Sequence, residues 1–121
     1  MRMELPKRKT LDDKEMFDDV VKAILSVMGD DAVKIILYGS VARGDNTWES
    51  DVDIAMITRR ELDRKTDKLL THVFNELDLK YDTVLSVMDI DEDHFRKWKY
   101  ELPFYTNIEE EGITLWTRES A

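Results

Sequence analysis

Residues 38–57 read YGSVARGDNTWESDVDIAMI, and the arrangement of the whole chain follows from how they are read. An apolar run, 33–37, ends at Gly39 and Ser40, and a second apolar run opens with Asp51 and Asp53. On a strand, side chains at i and i+2 share a face, so Asp51 and Asp53 project together. Two carboxylates held about 6–7 Å apart repel one another unless a cation lies between them. Hard ions such as Mg²⁺ bind oxygen ligands and keep positions open for phosphate. A glycine and a serine after a strand let backbone approach a phosphate, with the next helical turn aiming N–H groups at it. The pattern predicts a phosphate cradle facing a metal-binding carboxylate pair.

Outward from this stretch, the flanking segments supply a frame for it. Phe17, Val20, Val21, Ile24, Leu25 and Met28 recur at helical spacing, with Thr10 as the expected N-cap and Gly29 as the stop. Residues 33–38 are β-branched and apolar, a buried strand, followed by a helical turn over 40–43 and a polar loop over 44–50. In the next strand Val52, Ile54 and Met56 share one face, with Asp51, Asp53, Ala55 and Ile57 on the other. Thr58 and Glu61 have capping-box spacing before a stripe of Leu62, Thr66, Leu69, Leu70, Val73, Phe74 and Leu77. Residues 81–87 read as a third strand, and a strand–helix–strand succession makes it parallel to the second. An antiparallel first strand then delivers Gly39 and Ser40 to the end that carries Asp51, Asp53 and Asp82. Residues 89–99 read as a capped helix, Pro103 interrupts, Phe104, Tyr105 and Ile108 extend an aromatic patch, and 113–116 is a short last strand. The lead-in, 1–9, is irregular.

At 121 residues the chain fits a single domain, 1–121, long enough to bury one core without staples. It has no cysteine, which removes disulfides, thiolate metal sites and a cysteine nucleophile. No apolar run has the roughly 18 residues of a membrane span, and the N-terminus has no apolar signal core, so a cytoplasmic protein is expected. A formal net charge of −9 argues against general nucleic-acid binding, where a basic surface supplies most of the affinity. The run Lys7, Arg8, Lys9 is read as a solvated arm.

Gly39-Ser40, ten residues, then Asp51-Val52-Asp53 resembles the signature of the nucleotidyltransferase superfamily that includes DNA polymerase beta. In so short a chain the likeness is to the minimal nucleotidyltransferase (MNT) group, and residues 97–113 are similar to tails of its small bacterial members. The resemblance implies an α/β (α+β) fold, a small mixed sheet with helices mainly on one face, like the palm of these enzymes. It implies that Gly39 and Ser40 hold the β- and γ-phosphates of a nucleoside triphosphate, with Arg43 in reach of the triphosphate. Asp51 and Asp53 would bridge two Mg²⁺ ions, and Asp82 matches the third carboxylate, a metal ligand that helps deprotonate an acceptor hydroxyl. Such a site transfers a nucleoside monophosphate, expected to be AMP from ATP, and releases pyrophosphate. The acceptor site would be shared with a partner or a second copy. By resemblance the partner is a HEPN-type toxin and the chain its antitoxin. A binding module that neutralises by contact, and a dimeric enzyme that modifies an antibiotic-like alcohol, are the alternatives.

Other candidates read as structural. Asp89, Asp91 and Asp93 imitate an EF-hand opening, but His94 stands where glycine is needed and Tyr100 where the bidentate glutamate belongs. His72 and His94 have no partner at metal-ligand spacing. Trp48, between cradle and carboxylates, is a candidate surface for a base or for an interface.

Overall fold

The computed structural model describes residues 13–118; Thr10 and the lead-in lie outside them. Helix α1 (Lys14–Met28) follows the predicted stripe, burying Met16, Phe17, Val20, Ile24 and Met28, and Gly29 caps it. Strand β1 (Ala32–Tyr38) leads straight into a short helix, α2 (Gly39–Arg43), and β2 (Val52–Thr58) follows the polar loop. Helix α3 (Arg64–Tyr81), β3 (Leu85–Asp91), α4 (Glu92–Trp98), α5 (Pro103–Glu111) and β4 (Ile113–Thr117) complete the order.

The sheet runs β3-β2-β1-β4, with β1 antiparallel to both β2 and β4 and β2 parallel to β3. This is the mixed sheet expected from the sequence. Its larger face packs Ile35, Leu37, Val52, Ile54 and Met56 against α1 and Leu70 of α3. The opposite face carries Ile36, Ala55, Ile57 and Ile90, sealed by Ile108 of α5, with Phe95 and Tyr105 at its margin. The two long helices thus share one face, and the short α4 and α5 cover part of the other. Alternation along β2 assigns Asp53 to the side that α5 only partly closes.

Three local expectations need correction. Thr58 does not cap α3; it is the buried last residue of β2, and its hydroxyl donates to the Arg60 carbonyl at 2.7 Å. Asp63 is the cap, its carboxylate accepting from Thr66 N–H at 2.7 Å. The third strand begins at Leu85 rather than 81, because α3 continues to Tyr81. Tyr81 donates its hydroxyl to Asp19 of α1, and Lys80 Nζ lies 2.8 Å from the same carboxylate. Partners some sixty residues away hold that last turn in helix, which no local pattern reports. Finally, Asp89 and Asp91 belong to the end of β3, and α4 starts at Glu92, with Asp91 accepting from His94 N–H at 3.2 Å.

Candidate active site

Register builds the site. Tyr38, the last residue of β1, pairs with Asp53 on one side, and Ser86 of β3 pairs with Asp53 on the other. Directly paired residues point to the same face, so Tyr38, Asp53 and Ser86 form one row across the sheet. Just beyond Tyr38 the chain turns at Gly39, whose φ of +77° is a conformation that side chains with a Cβ resist. A Cβ there would collide with Asp53 Oδ2 and would lie 3.1 Å from Asp53 Cγ. Gly39 is therefore required twice, by its backbone angle and by the carboxylate seated against it.

Asp51 lies two residues before Asp53, exposed at the entrance to β2. Partial burial raises the Asp53 carboxyl above the usual carboxylate range, and the Asp51 charge adds to the rise while Arg43 opposes it. The local field thus calls for a cation, as expected of two like charges on one edge. Arg43 leaves α2 toward solvent, with Nε 3.2 Å from Asp45 Oδ2 and a second nitrogen 3.6 Å from Glu111 Oε2. Both pairs are solvent-exposed, worth about 0–1 kcal/mol each, so an incoming phosphate can exchange with them. Ser40 lies in the same turn, its carbonyl accepting from the N–H of Asp45.

Asp82 stands apart from this pair in secondary structure. It caps α3 in the left-handed region, φ 48° and ψ 55°, with an exposed side chain, three residues ahead of β3. Among the described residues no three of His, Cys, Asp and Glu group closely enough to hold a metal ion. The carboxylates that could hold a cation at this edge are Asp51 and Asp53, two residues apart in the chain. Two carboxylates suit Mg²⁺, which retains waters and fills remaining positions with substrate phosphates. Neither histidine joins them: His72 pairs with Glu76 at 3.0 Å, and His94 Nδ1 lies 2.8 Å from the Tyr105 hydroxyl. Trp48 is about half exposed.

A pocket of about 200 Å³ opens beside the corner, lined by Tyr38, Gly39, Arg43, Phe104, Asn107 and Glu111. Phe104 packs edge-on to Tyr38, centroids 5.6 Å apart at 87°. Burial raises the Tyr38 hydroxyl, with the Asp53 charge adding to it. Sequence reading missed Phe104, Asn107 and Glu111 as wall residues, because only the fold-back of α5 brings them there. It missed Ser86 because the strand was placed four residues early.

The model of the family described as "Nucleotidyltransferase domain" matches residues 18–114. A Methanocaldococcus jannaschii protein named as a candidate protein adenylyltransferase is 34% identical over 106 residues, spanning 88% of this chain and 100% of its own length. Among solved structures, a toxin-antitoxin with AMP-PNP superposes with a TM-score of 0.56 at 20% identity, covering 85% of this chain and 74% of that one. A chain of the complex of tri-AMPylated Shewanella oneidensis HEPN toxin with MNT antitoxin gives 0.52 at 16% identity, covering 87% and 73%. These last two likenesses establish the shared fold.

Proposed function

We propose that this chain, which belongs to the nucleotidyltransferase domain family, transfers AMP from ATP to a hydroxyl of a partner protein and thereby acts as an MNT-type antitoxin. The observation that carries the reading is the fit of Gly39 against Asp53, with Asp51 two residues before it. It leaves a cation-seeking carboxylate pair beside a backbone turn free of side chain, where a triphosphate can lie close.

In this reading Asp51 and Asp53 would hold Mg²⁺, whose charge neutralises the triphosphate and the developing negative charge of transfer. Gly39 and Ser40 present backbone to the β- and γ-phosphates, and Arg43 exchanges its surface carboxylates for a phosphate oxygen. The acceptor oxygen forms a bond to the α-phosphorus, and the bond from that phosphorus to the α–β bridging oxygen breaks. Pyrophosphate leaves, and the hydroxyl proton passes to a carboxylate. We assign that proton to Asp82, on the exposed turn ahead of β3, with entry into metal ligation as its second proposed role. The acceptor is proposed to be a HEPN-type toxin, in keeping with the S. oneidensis complex and with the naming of the M. jannaschii relative. The partner would complete an acceptor site that this small domain leaves open.

The test uses ATP labelled at the α-phosphate, Mg²⁺, and the candidate partner protein. Label moving to the partner, and lost with Asp51→Ala, is the expected result. Inhibition of the partner that survives Asp51→Ala without any transfer would replace this reading with contact neutralisation. Label on a small alcohol would redirect it to a small-molecule acceptor.

A further inference from the structure

We infer that the exposed aromatic knuckle joining α4 to α5, residues 98–104, is the surface on which the acceptor protein docks, and that it fits an apolar surface rimmed by carboxylates. The inference rests on the transfer reading above and adds the surface that recognises the acceptor. Trp98, Tyr100, Leu102 and Phe104 are all exposed, Tyr100 by 76%, and they are four of the nine large hydrophobic side chains exposed among the described residues. Soluble domains usually scatter such side chains singly, and a run of four within one short segment marks an interaction site.

The knuckle is continuous with the candidate active site. Ring contacts run from Trp98 to His94, centroids 6.5 Å apart, and on to Tyr105 at 5.5 Å. From Tyr105 they reach Phe104 at 6.0 Å and then Tyr38 at 5.6 Å, and Tyr38 pairs with Asp53. Phe104 belongs both to this run and to the wall of the pocket beside Gly39. A protein seated on the knuckle therefore borders the side of the sheet to which Asp53 projects.

Charge selects among occupants. Lys97 Nζ lies 5.4 Å from the Trp98 ring centroid and Lys99 Nζ 5.0 Å from that of Tyr100. Two cations thus lie on the aromatic surface of a chain whose net charge is −9. Lys99 is also 3.8 Å from Glu109, a long pair that a partner's carboxylate can replace. A second copy docked through a two-fold axis would bring the same lysines face to face. A single-stranded nucleic acid could stack on the rings but meets the negative field of the rest of the chain. A protein with an apolar centre and an acidic rim satisfies rings and lysines together, with Trp98 and Tyr100 as its buried anchors.

The test measures binding of the full chain to the partner protein of the labelling experiment, by surface plasmon resonance, for the wild type, Tyr100→Ala, Lys97→Glu and Asp51→Ala. Tyr100→Ala is expected to weaken partner binding at least about tenfold. Lys97→Glu should slow association at low salt, by an amount that shrinks as salt is added. Both should keep the wild-type melting temperature and Mg·ATP affinity, whereas Asp51→Ala should keep partner binding and lose transfer. Undiminished partner binding in both knuckle variants would overturn the docking surface and leave the transfer reading standing. Partner binding that fails in Tyr100→Ala, with no label transferred by the wild type, would support the surface and overturn the transfer reading. Single-stranded RNA that binds the wild type, displaces the partner and is lost with Tyr100→Ala would overturn the protein occupant. A wild type that neither binds nor labels the partner would overturn both readings.

Discussion

The carboxylate of Asp53 is seated against Gly39 so closely that a Cβ on residue 39 would collide with it. The corner at the end of β1 and the acid on β2 are therefore one structural unit, fixed by the antiparallel pairing of Tyr38 with Asp53. Gly39→Ala must displace the carboxylate or bend the turn, and it also forces a left-handed alanine. The expected cost is about 1–3 kcal/mol of stability, read by denaturant unfolding, with loss of Mg·ATP binding. Unchanged binding would separate the two residues.

Asp53→Asn should stabilise the metal-free protein at neutral pH. The folded-state pKa of Asp53 is raised, by burial first and by Asp51 second. A raised group contributes stability that is present below its unfolded value, near about 3.9, and lost as pH rises through the folded value. At pH 7 the wild type carries the ionised, disfavoured form, and asparagine removes that charge. Melting curves from pH 7 down to about 4 should show the variant's advantage shrinking.

The Asp19 cluster predicts the opposite sign. Hydrogen bonds from Lys80 and then from Tyr81 hold the Asp19 carboxyl below its usual range. Its contribution is present above the unfolded value, near about 3.9, and is lost as pH falls through the lower folded value. Asp19→Asn should melt below the wild type at pH 7, and the two curves should converge in strong acid. Since this cluster holds the last turn of α3, the variant should also loosen amide protection near Tyr81.

Docking of α5 depends on Ile108 and Gly112. Ile108 is 1% exposed, and a Cβ on Gly112 would meet the Ile108 carbonyl and come within 2.5 Å of Ile36 Cγ2. Ile108→Ala is expected to cost about 2–5 kcal/mol, and Gly112→Ala about 1–3 kcal/mol through overpacking. Unfolding by urea measures both. Because α5 walls the pocket beside Gly39, both variants should also weaken nucleotide binding.

The pairing of the first three strands and the positions of the Gly-Ser corner and of Asp51 and Asp53 were legible in the sequence because each has a local signature, whereas nothing in 113–116 placed the last strand beside β1. Val52, Ile54 and Met56 alternate with the acids, and the glycine punctuates a short apolar run. Asp82 shows the limit. Its segment carries both a helical and a strand-like pattern, and the choice is made by Asp19 on a distant helix. The wall formed by Phe104, Asn107 and Glu111 was equally hidden, since Pro103 and Gly112 announce a boundary at each end of α5 without saying where it docks.

Calorimetric titration of Mg²⁺ with a non-hydrolysable ATP analogue, on the wild type, Asp51→Asn and Asp53→Asn, addresses the carboxylate pair and its corner most directly. The account predicts saturable 1:1 binding by the wild type that requires Mg²⁺ and falls at least about tenfold, some 1.4 kcal/mol, in each variant. Binding by the wild type that ignores Mg²⁺ and survives both substitutions would contradict it.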